Sequence, residues 1–365
     1  MRLVHLSVSD FRNLEAVEIE VASGINIFHG SNGAGKTSIL EAVFVVSRGR
    51  SFRSQRLHEA VRQGAESSWI AARIGQDAST RTSLGVGVER SGQRVLKVGD
   101  EPVSKVSRMA ALLPVQLMAS DASTLVFGSP SWRRQWMDWV LFHVEPDLAP
   151  VFARYEQALR QRNSLLRQVR DGAVTPDVLT PWELLLAQHG ERIQNARQGV
   201  VASVAPHIKG ALVTLDQPFE VDFDVFQGWS IERELSADLV HRRDRDIAVG
   251  YTTSGVHRGD LQIRVTGRPG GRSLSRGQGK AVAAAMVLGQ FDYLRDRGRF
   301  DGVLLIDDFS AEFDAEVRER FVHALRSRPF QVLATGVDGP DGALHPRPVG
   351  SASFHVKQGV VYRDG

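Results

Sequence analysis

Two kinds of short segment recur along the chain and predict β-strands. In one kind hydrophobic and polar residues alternate, and in the other all residues are apolar. Near the start, Val17, Ile19 and Val21 alternate with Glu18 and Glu20, as expected for a half-buried strand. The other stretches that predict strands are 25–28, 69–74, 82–88, 94–98, 112–118, 219–225, 261–265, 303–306 and 331–335. Predicted strands therefore lie on both sides of the middle of the chain.

The middle of the chain has a helical pattern instead. Apolar residues recur at helical spacing over 152–169 and again over 186–200, with Pro176 and Pro181 between the two stretches. This predicts an antiparallel pair of helices of ~20–25 residues, each about 30–38 Å long. Further helices are expected in the Ala-rich stretch that ends near residue 294 and over 316–326. The predicted fold class is α/β with a mainly helical lobe.

Residues 30–37 read G-S-N-G-A-G-K-T and fit the pattern G-x-x-x-x-G-K-[ST] in full, between a predicted strand and a predicted helix. Glycines let successive backbone N–H groups turn toward a polyphosphate. Lys36 brings a positive charge to the β- and γ-phosphates, and the Thr37 hydroxyl is a ligand for Mg²⁺. The residues expected to bind nucleotide here are Gly30, Ser31, Asn32, Gly33, Ala34, Gly35, Lys36 and Thr37.

The apolar run 303–306 ends in two carboxylates, Asp307 and Asp308. A P-loop needs such acids, because one holds Mg²⁺ and the next orients or deprotonates the attacking water. We expect Asp307 in the first role and Asp308 in the second. Both acids and the P-loop must reach one phosphate, so their strands are predicted to share a sheet, and the helical lobe is predicted to be an insertion.

Ser275, Gly277 and Gln278 form a Ser-x-Gly-Gln turn at the start of the Ala-rich helix. Taken alone, a capped helix start explains this turn well, although a helix N-terminus also suits an anion. Its position shortly before the acidic strand resembles the signature motif of ABC-type ATPases. In that superfamily the signature binds the γ-phosphate of ATP held by a second protomer. The resemblance implies a head-to-tail homodimer with two ATP molecules between its protomers.

Five motifs occur in a characteristic order: F-R-N, G-R-S-F-R, Y-T-x-x-G-x-H-R-x-D, L-S-R-G-Q and Asp-Asp. Together they resemble the RecF family of bacterial recombination mediators over essentially the whole chain. The resemblance implies an ABC-type P-loop ATPase head with a mixed sheet, formed by residues 1–128 and 251–365. Residues 129–250 would be the inserted lobe with its short helix pair.

The resemblance also implies a function in recombinational repair and replication-fork maintenance. The expected cofactors are ATP and Mg²⁺, and the expected partners are single-stranded or gapped DNA, a second copy of the chain, and the mediators RecO and RecR. Slow, weak and DNA-dependent ATP hydrolysis would release the dimer. The main role would be binding, in support of recombinase loading and the SOS response. The alternative is the nucleotide-binding subunit of an ABC transporter.

Further roles follow from the resemblance by motif position. Gln116 corresponds to the Q-loop glutamine near Mg²⁺ and the attacking water, and residues 311–314 correspond to the D-loop. Thr335 stands where transporters carry the switch histidine, which disfavours the transporter alternative. Val256, Ala311 and Gly279 depart from the family pattern. The residues expected in catalysis are Lys36, Gln116 and Asp308, and those expected at the metal are Thr37, Gln116 and Asp307.

Two motifs keep two interpretations each. The arginine-rich stretch after the P-loop helix is either a solvated loop or a surface that follows a nucleic-acid backbone. Its candidate DNA contacts are Arg48, Arg50, Arg53 and Arg56. The turn at residues 251–260 is either a packing element or a conformational, phosphate-contacting one.

Composition changes this picture little. The formal net charge is +3, which does not by itself indicate a nucleic-acid binder. Cysteine is absent, which excludes a disulfide framework and a thiol nucleophile. No apolar run reaches the length of a membrane span, so we expect a cytoplasmic protein without a membrane partner.

Overall fold

The computed structural model describes residues 2–75, 81–118, 121–266, 274–298, 302–309, 315–337 and 350–364. Within these ranges the chain forms two six-stranded sheets, one two-stranded sheet and a group of helices. The strands are β1 (Arg2–Phe11), β2 (Leu14–Glu20), β3 (Ile25–His29), β4 (Ser67–Gly75), β5 (Arg81–Glu89), β6 (Arg94–Val98), β7 (Glu101–Pro102), β8 (Val115–Met118), β9 (Glu220–Phe226), β10 (Asp260–Thr266), β11 (Val303–Ile306), β12 (Gln331–Gly336), β13 (Ala352–Lys357) and β14 (Val360–Arg363). The α-helices are α1 (Lys36–Arg48), α2 (Val106–Leu112), α3 (Thr124–Phe127), α4 (Pro130–Val144), α5 (Ala149–Arg170), α6 (Thr180–Thr214), α7 (Leu235–His241), α8 (Arg243–Val249), α9 (Arg276–Asp296) and α10 (Ala315–Arg326).

The first of the two large sheets is mixed and has the strand order β14-β13-β3-β12-β11-β8. Strands β13, β3, β12, β11 and β8 run parallel, and β14 is antiparallel to β13. All four residues of β11 are buried, as expected for the centre of a sheet covered on both faces. The P-loop strand β3 and the acid-bearing strand β11 are separated by β12 alone, so the prediction that they share a sheet is confirmed.

The second large sheet is antiparallel, with the order β2-β1-β4-β5-β6-β7. Its strands include the three predicted over 69–74, 82–88 and 94–98. Helix α1 lies between the two large sheets and contacts strands of both. Every residue from 38 to 47 in this helix is buried, because apolar side chains surround nearly its whole circumference.

The helical lobe contains the predicted antiparallel pair. Tyr155 on α5 lies against Gly190 on α6, and Arg162 pairs with Glu183, so residues further along α5 meet residues earlier on α6. The predicted length is right for α5, which has 22 residues, and wrong for α6, which has 35 and is about 52 Å long. Helix α6 continues through Pro206 because its last turns are buried against α9, where Gly289 lets Ile208 approach the helix backbone.

Strand β9 pairs with β10 to form the two-stranded sheet. This pairing crosses the domain boundary predicted at residues 250/251, and the boundaries themselves stay a prediction. The predicted strand 112–118 begins only at Val115, since α2 extends to Leu112. None of the helices in the described parts of the chain is long and apolar enough to cross a membrane.

The sequence pattern did not predict the C-terminal hairpin of β13 and β14, and 331–335 is the last stretch predicted to be a strand. Its signal is nonetheless in the sequence. Phe354 and Val356 are buried while His355 and Lys357 are exposed, which is a strand alternation. Gln358 and Gly359 then take φ angles of 49° and 80°, the pair of positive angles that a tight hairpin turn requires.

Candidate nucleotide site

The P-loop is shaped by glycines that no other residue could replace without displacement. Gly30 has a φ of 142°, and a Cβ there would lie 2.3 Å from the carbonyl oxygen of Val356. Gly35 has a φ of 117°, and its Cβ would lie 2.9 Å from Cδ2 of Leu14. Helix α1 begins directly afterward without a side-chain cap, so the first backbone N–H groups of the helix are left for an anion.

A cavity of ≈ 620 Å³ lies over this loop, which is a typical size for a small-molecule site. It brings together the P-loop and the two acids, as predicted from the sequence. The residues that line it are Asn32, Gly33, Ala34, Gly35, Lys36, Thr37, Ser38, Asp307, Asp308 and Thr335, together with Arg12, Asn13, Arg53, Glu59, Val61 and Gln63.

Asp307 is the centre of a small group of hydroxyl and carboxylate oxygens. Its Oδ1 accepts hydrogen bonds from Thr37 Oγ1 at 2.9 Å and from Thr335 Oγ1 at 2.8 Å. Its backbone N–H donates to the carbonyl of Met118 on β8 at 3.0 Å, which fixes the strand end. Hard oxygen ligands of this kind fit Mg²⁺. Thr37 and Asp307 are therefore the residues here that would hold the ion.

Asp308 has a backbone φ of 55°, in the left-handed region that aspartate tolerates better than most residues. Its N–H donates to Thr335 Oγ1 at 2.8 Å, so Thr335 bonds to both acids. Thr335 is buried at the end of β12, and the sequence patterns did not predict these hydrogen bonds. This threonine fixes the direction in which the two carboxylates leave the strand.

Lys36 extends along the loop, where its Nζ donates to the carbonyls of Gly30 at 2.6 Å and Ser31 at 3.0 Å. Partial burial lowers the pKa of its ammonium, and the nearby charges of Asp308 and Asp307 partly offset this effect. The ammonium is thus placed between the start of the loop and the two acids. That is the position from which it can bind terminal phosphates.

Sequence reasoning missed the side chains that support the loop from behind. Asn13, from the F-R-N motif, donates from Nδ2 to the carbonyl of Gly33 at 3.0 Å and accepts at Oδ1 from Ser38 Oγ at 2.9 Å. Glu41 on α1 is fully buried and accepts from Arg12 Nη2 at 2.7 Å and from Ser51 Oγ at 2.5 Å. The detectable signal was a lone acid within the apolar stretch of α1.

Gln116 is not among the residues that line the cavity. It lies within β8, paired with Leu304, three residues before Asp307 on the neighbouring strand. A strand rises about 3.3 Å per residue, so Gln116 lies about 10 Å below the level of the acids. The structure therefore gives no support to its predicted place beside Mg²⁺. The predicted D-loop, residues 311–314, lies outside the described residues.

The signature turn (residues 275–278) forms a complete capping box at the start of α9. Gln278 N–H donates to Ser275 Oγ at 3.3 Å, and Ser275 N–H donates to Gln278 Oε1 at 3.0 Å. Ser275 and Gly277 are exposed, and a Cβ on Gly277 would meet nothing within 4 Å. None of the three signature residues lines the cavity described above. The turn thus presents its helix N-terminus to the outside of this chain.

Comparison with known proteins now decides the family. A family model described as the RecF/RecN/SMC N terminal domain matches residues 2–340. The DNA replication and repair protein RecF of Marinomonas sp. (strain MWYL1) is 36% identical over 341 residues, which are 93% of this chain and 91% of that protein. The chain belongs to the RecF family.

A second RecF, from Actinobacillus pleuropneumoniae serotype 3 (strain JL03), is 35% identical over 363 residues and covers 99% of both chains. The solved structure of the recombination mediator protein RecF with ATP, in the RecFOR pathway, superposes with a TM-score of 0.87 at 22% identity. That match covers 100% of this chain and 98% of the other. It confirms the fold class, an ABC-type α/β ATPase head with a mixed sheet.

The four arginines predicted to contact DNA in this RecF-family chain have different surroundings. Arg48 is largely buried: it lies over the Trp139 ring, 5.8 Å from its centroid, and donates to the carbonyl of Val115. Burial lowers the pKa of Arg48 to about 9, and the charge of Arg50 adds to this effect. Arg53 lines the cavity and pairs with Glu41 at 3.4 Å.

Arg50, Arg53 and Arg56 are all exposed, although Arg53 pairs with Glu41 and Arg50 Nη2 donates to Gln135 Oε1 at 3.3 Å. Arg50 and Arg56 are the better candidates for DNA contacts among them, because Glu41 offsets the charge of Arg53. A solvated loop and a DNA-contacting loop remain open for them, whereas Arg48 is held inside the protein.

The RecF-type motif at residues 251–260 is bonded to the helical lobe. Thr252 N–H donates to Asn163 Oδ1 at 2.8 Å, and the Ser254 hydroxyl donates to the carboxylate of Asp238. His257 lies 2.8 Å from the Tyr155 hydroxyl through Nδ1 and 3.1 Å from the Thr252 carbonyl through Nε2. Burial lowers the pKa of His257 to about 4, so the ring is neutral at pH 7. These contacts favour the packing interpretation of the turn.

Proposed function

We propose that two copies of this chain close head to tail over ATP and Mg²⁺, and that the closed pair holds DNA during replication and repair. Membership in the RecF family supports the role in DNA replication and repair and the binding of ATP. The observation that carries the head-to-tail arrangement is the separation of two half-sites. The P-loop and both acids line one cavity, whereas the capped, exposed signature turn lies outside it.

The P-loop residues and the two acids of the cavity have defined tasks in this proposal. Backbone N–H groups of the P-loop and Lys36 bind the phosphates, while Thr37 and Asp307 hold Mg²⁺, which neutralises phosphate charge when bound. Asp308 accepts a proton from the attacking water, and its N–H bond to Thr335 keeps its carboxylate in place. The signature turn of the second copy contributes its helix N-terminus to the same phosphates.

A mixed-protomer experiment tests the shared site. Lys36→Ala removes the cation that binds phosphate in the P-loop half-site. Ser275→Arg places a large side chain in the signature half-site and so blocks it. Each variant alone should fail to dimerise with ATP, as measured by light scattering after size exclusion. A mixture of the two restores one intact pocket per pair, so we expect partial recovery of dimers and of DNA retention in a gel-shift.

The results distinguish an ATP site shared between two copies from an ATP site formed within one chain. Ser275→Arg should still bind ATP as a monomer with its usual affinity, because its own P-loop is unchanged. A Ser275→Arg protein that pairs with ATP as the unmodified protein does, or a mixture without recovery, would contradict the shared pocket.

The finer parts of the proposal follow the family. We propose that the pair acts in the cytoplasm on single-stranded or gapped DNA with the mediators RecO and RecR, in support of recombinase loading and the SOS response. We further propose weak, DNA-stimulated ATP hydrolysis that reopens the pair. Phosphate release with and without DNA measures this directly. The transporter alternative is not favoured, since the relatives named above are DNA replication and repair proteins.

A further inference from the structure

Gly279 follows the signature turn directly and lies buried in the first turn of α9. A Cβ at this position would lie 2.2 Å from Cε2 and 2.6 Å from Cζ of Phe127. The Phe127 ring therefore rests on the bare backbone of the helix that carries the signature. The ring is still 49% exposed, so it does not fill an interior pocket. Within the chain, these distances place the Phe127 ring against the first turn of α9.

The segment that carries Phe127 is short and is held by one arginine. Helix α3 is a single turn, and Arg133 Nη1 donates to the carbonyls on both sides of the ring, Val126 at 3.0 Å and Gly128 at 2.8 Å. The other edge of the Arg133 guanidinium donates to both carboxylate oxygens of Asp260, at 2.8 Å from Nε and 2.9 Å from Nη2. A planar fork of this kind fixes direction as well as distance.

Asp260 is itself held in place. Its Oδ1 accepts from the N–H of Leu261 at 2.8 Å, at the start of β10. It is also the last residue of the 251–260 turn, whose earlier residues bond to the helical lobe as described above. Largely buried ion pairs such as Arg133–Asp260 contribute little net stability, so a geometric role explains this one better.

An electrostatic attraction also acts between the same segment and the start of α9. Asp121 lies close enough to Lys280 and Arg276 for both charges to act on it. A hydrogen bond from Ser123 is the largest cause that lowers the pKa of Asp121, and the two cations add to it. The segment 121–128 thus borders the signature helix through the Phe127 ring, and opposite charges on the two segments attract each other.

We propose that Phe127 and Arg133 are positioning residues that set the place of the signature turn for ATP bound by the second copy, and that Asp260 orients Arg133. This inference rests on the proposed function. It gives the glycine at 279 a physical reason, because a larger residue would expel the ring. It also gives the final aspartate of the 251–260 turn a task in ATP-driven pairing.

A swap at the ring contact tests the inference. Gly279→Ala should push the Phe127 ring away and loosen the helix start, so half-maximal dimerisation needs about fivefold to tenfold more ATP. Phe127→Leu in the same chain removes the clashing ring atoms and should restore most of the loss. The matched control is Gly210→Ala in α6, where a Cβ meets nothing within 4 Å and no change is expected.

Hydrogen exchange in the monomer separates this inference from the proposed function. Phe127→Leu and Arg133→Lys should each speed amide exchange at 276–280 by about threefold to tenfold. The affinity of the monomer for ATP should stay unchanged, since none of these residues lines the cavity. A general loss of structure would instead lower ATP affinity and the melting temperature together.

The results decide as follows. Unchanged exchange at 276–280 in both variants, or failure of Phe127→Leu to rescue a folded Gly279→Ala, would overturn the positioning role. Faster exchange together with impaired pairing supports it. Should the unmodified protein fail to pair with ATP at all, the proposed function falls, and the positioning role in pairing falls with it.

Discussion

At the scale of single residues, the backbone of Asp308 stands out, because its left-handed φ aims a short carboxylate into the cavity. The N–H bond to Thr335 keeps this conformation, which would otherwise cost about 1 kcal/mol or more. A side chain with one methylene fewer than glutamate reaches less far toward the attacking water. Slow turnover is therefore expected from geometry.

Asp308→Glu tests this expectation. The longer carboxylate should raise the rate of ATP hydrolysis severalfold and leave the affinity for ATP unchanged, as measured by phosphate release under saturating ATP. Asp308→Asn is the control, since it tolerates the same backbone angle but has no base, and should be slower by about 10²-fold or more. An equal or lower rate for Asp308→Glu would contradict the reach argument.

Buried histidines make stability depend on pH. Burial lowers the pKa of His257 to about 4 and that of His143 to about 3, against an ordinary value near 6.5. Both contribute stability that is present above about pH 6.5 and is lost as the pH falls, because the unfolded chain binds protons first. Between pH 7.5 and pH 5, each should cost about 2 kcal/mol of the free energy of unfolding.

Urea unfolding at the two pH values measures this loss. His257→Gln removes one titrating group while an amide can still bond to Tyr155 or Thr252, so its pH dependence should be flatter. A His257→Gln protein with the same dependence as the unmodified one would show that His257 is already exposed to protons when folded.

At the scale of elements, the C-terminal hairpin packs against the P-loop and supports its shape. Gly359 N–H donates to the carbonyl of Ala34 at 2.8 Å, and the His29 ring at the loop entrance lies 2.8 Å from Asp364 Oδ2. Strand β13 also runs close enough to Gly30 to exclude a side chain there. The shape of the phosphate loop thus depends on residues from the far end of the sequence.

Gly359→Ala is expected to weaken ATP binding. Its φ is 80°, and a Cβ would lie 2.4 Å from the carbonyl oxygen of Asn13, which supports the loop. We expect an ATP Kd higher by about tenfold, measured by calorimetry. The control is Gly64→Ala, with a φ of 90° and open space around it, which shares the backbone strain but not the contact. Equal effects in both would assign the loss to strain alone.

The sequence was sufficient to predict that the P-loop and the two strand-end acids come together, as they do around one cavity. The P-loop, Asp307 and Asp308 were found because glycines, a lysine and strand-end acids must occur in a fixed local order. Burial of Arg48 and the level of Gln116 on its strand depend on packing between distant segments, which no local pattern reports. For the same reason, the length of α6 past Pro206 was missed, since contacts with α9 outweigh the proline.

At the scale of the whole molecule, Arg50 and Arg56 are the arginines that best test the predicted DNA contact, because Arg48 lies over the Trp139 ring and Arg53 pairs with Glu41. Arg50→Glu and Arg56→Glu should lower DNA affinity in the presence of ATP and reduce the salt dependence of binding by about one ion per lost contact. Gel-shifts at two salt concentrations measure both quantities. Affinity for ATP should not change, because neither residue lines the cavity.

Arg160→Glu is the matched control, since Arg160 is also exposed but lies on α5, in the helical lobe. DNA binding that is untouched by Arg50→Glu and Arg56→Glu would leave the loop as a solvated connection. A Glu at position 48 is not a useful probe, because it would bury a carboxylate against Trp139.

The enclosure of α1 between two sheets has a consequence for how the molecule responds to its ligand. Because α1 is packed on all sides, we expect it not to tilt or slide when phosphates bind. The nucleotide site should therefore be preformed. If two copies pair over ATP as proposed, the conformational change on binding should be concentrated at the contact between them. The ATP-free and ATP-bound monomers should then have the same conformation, and a conformational change should occur only when the proposed pair forms.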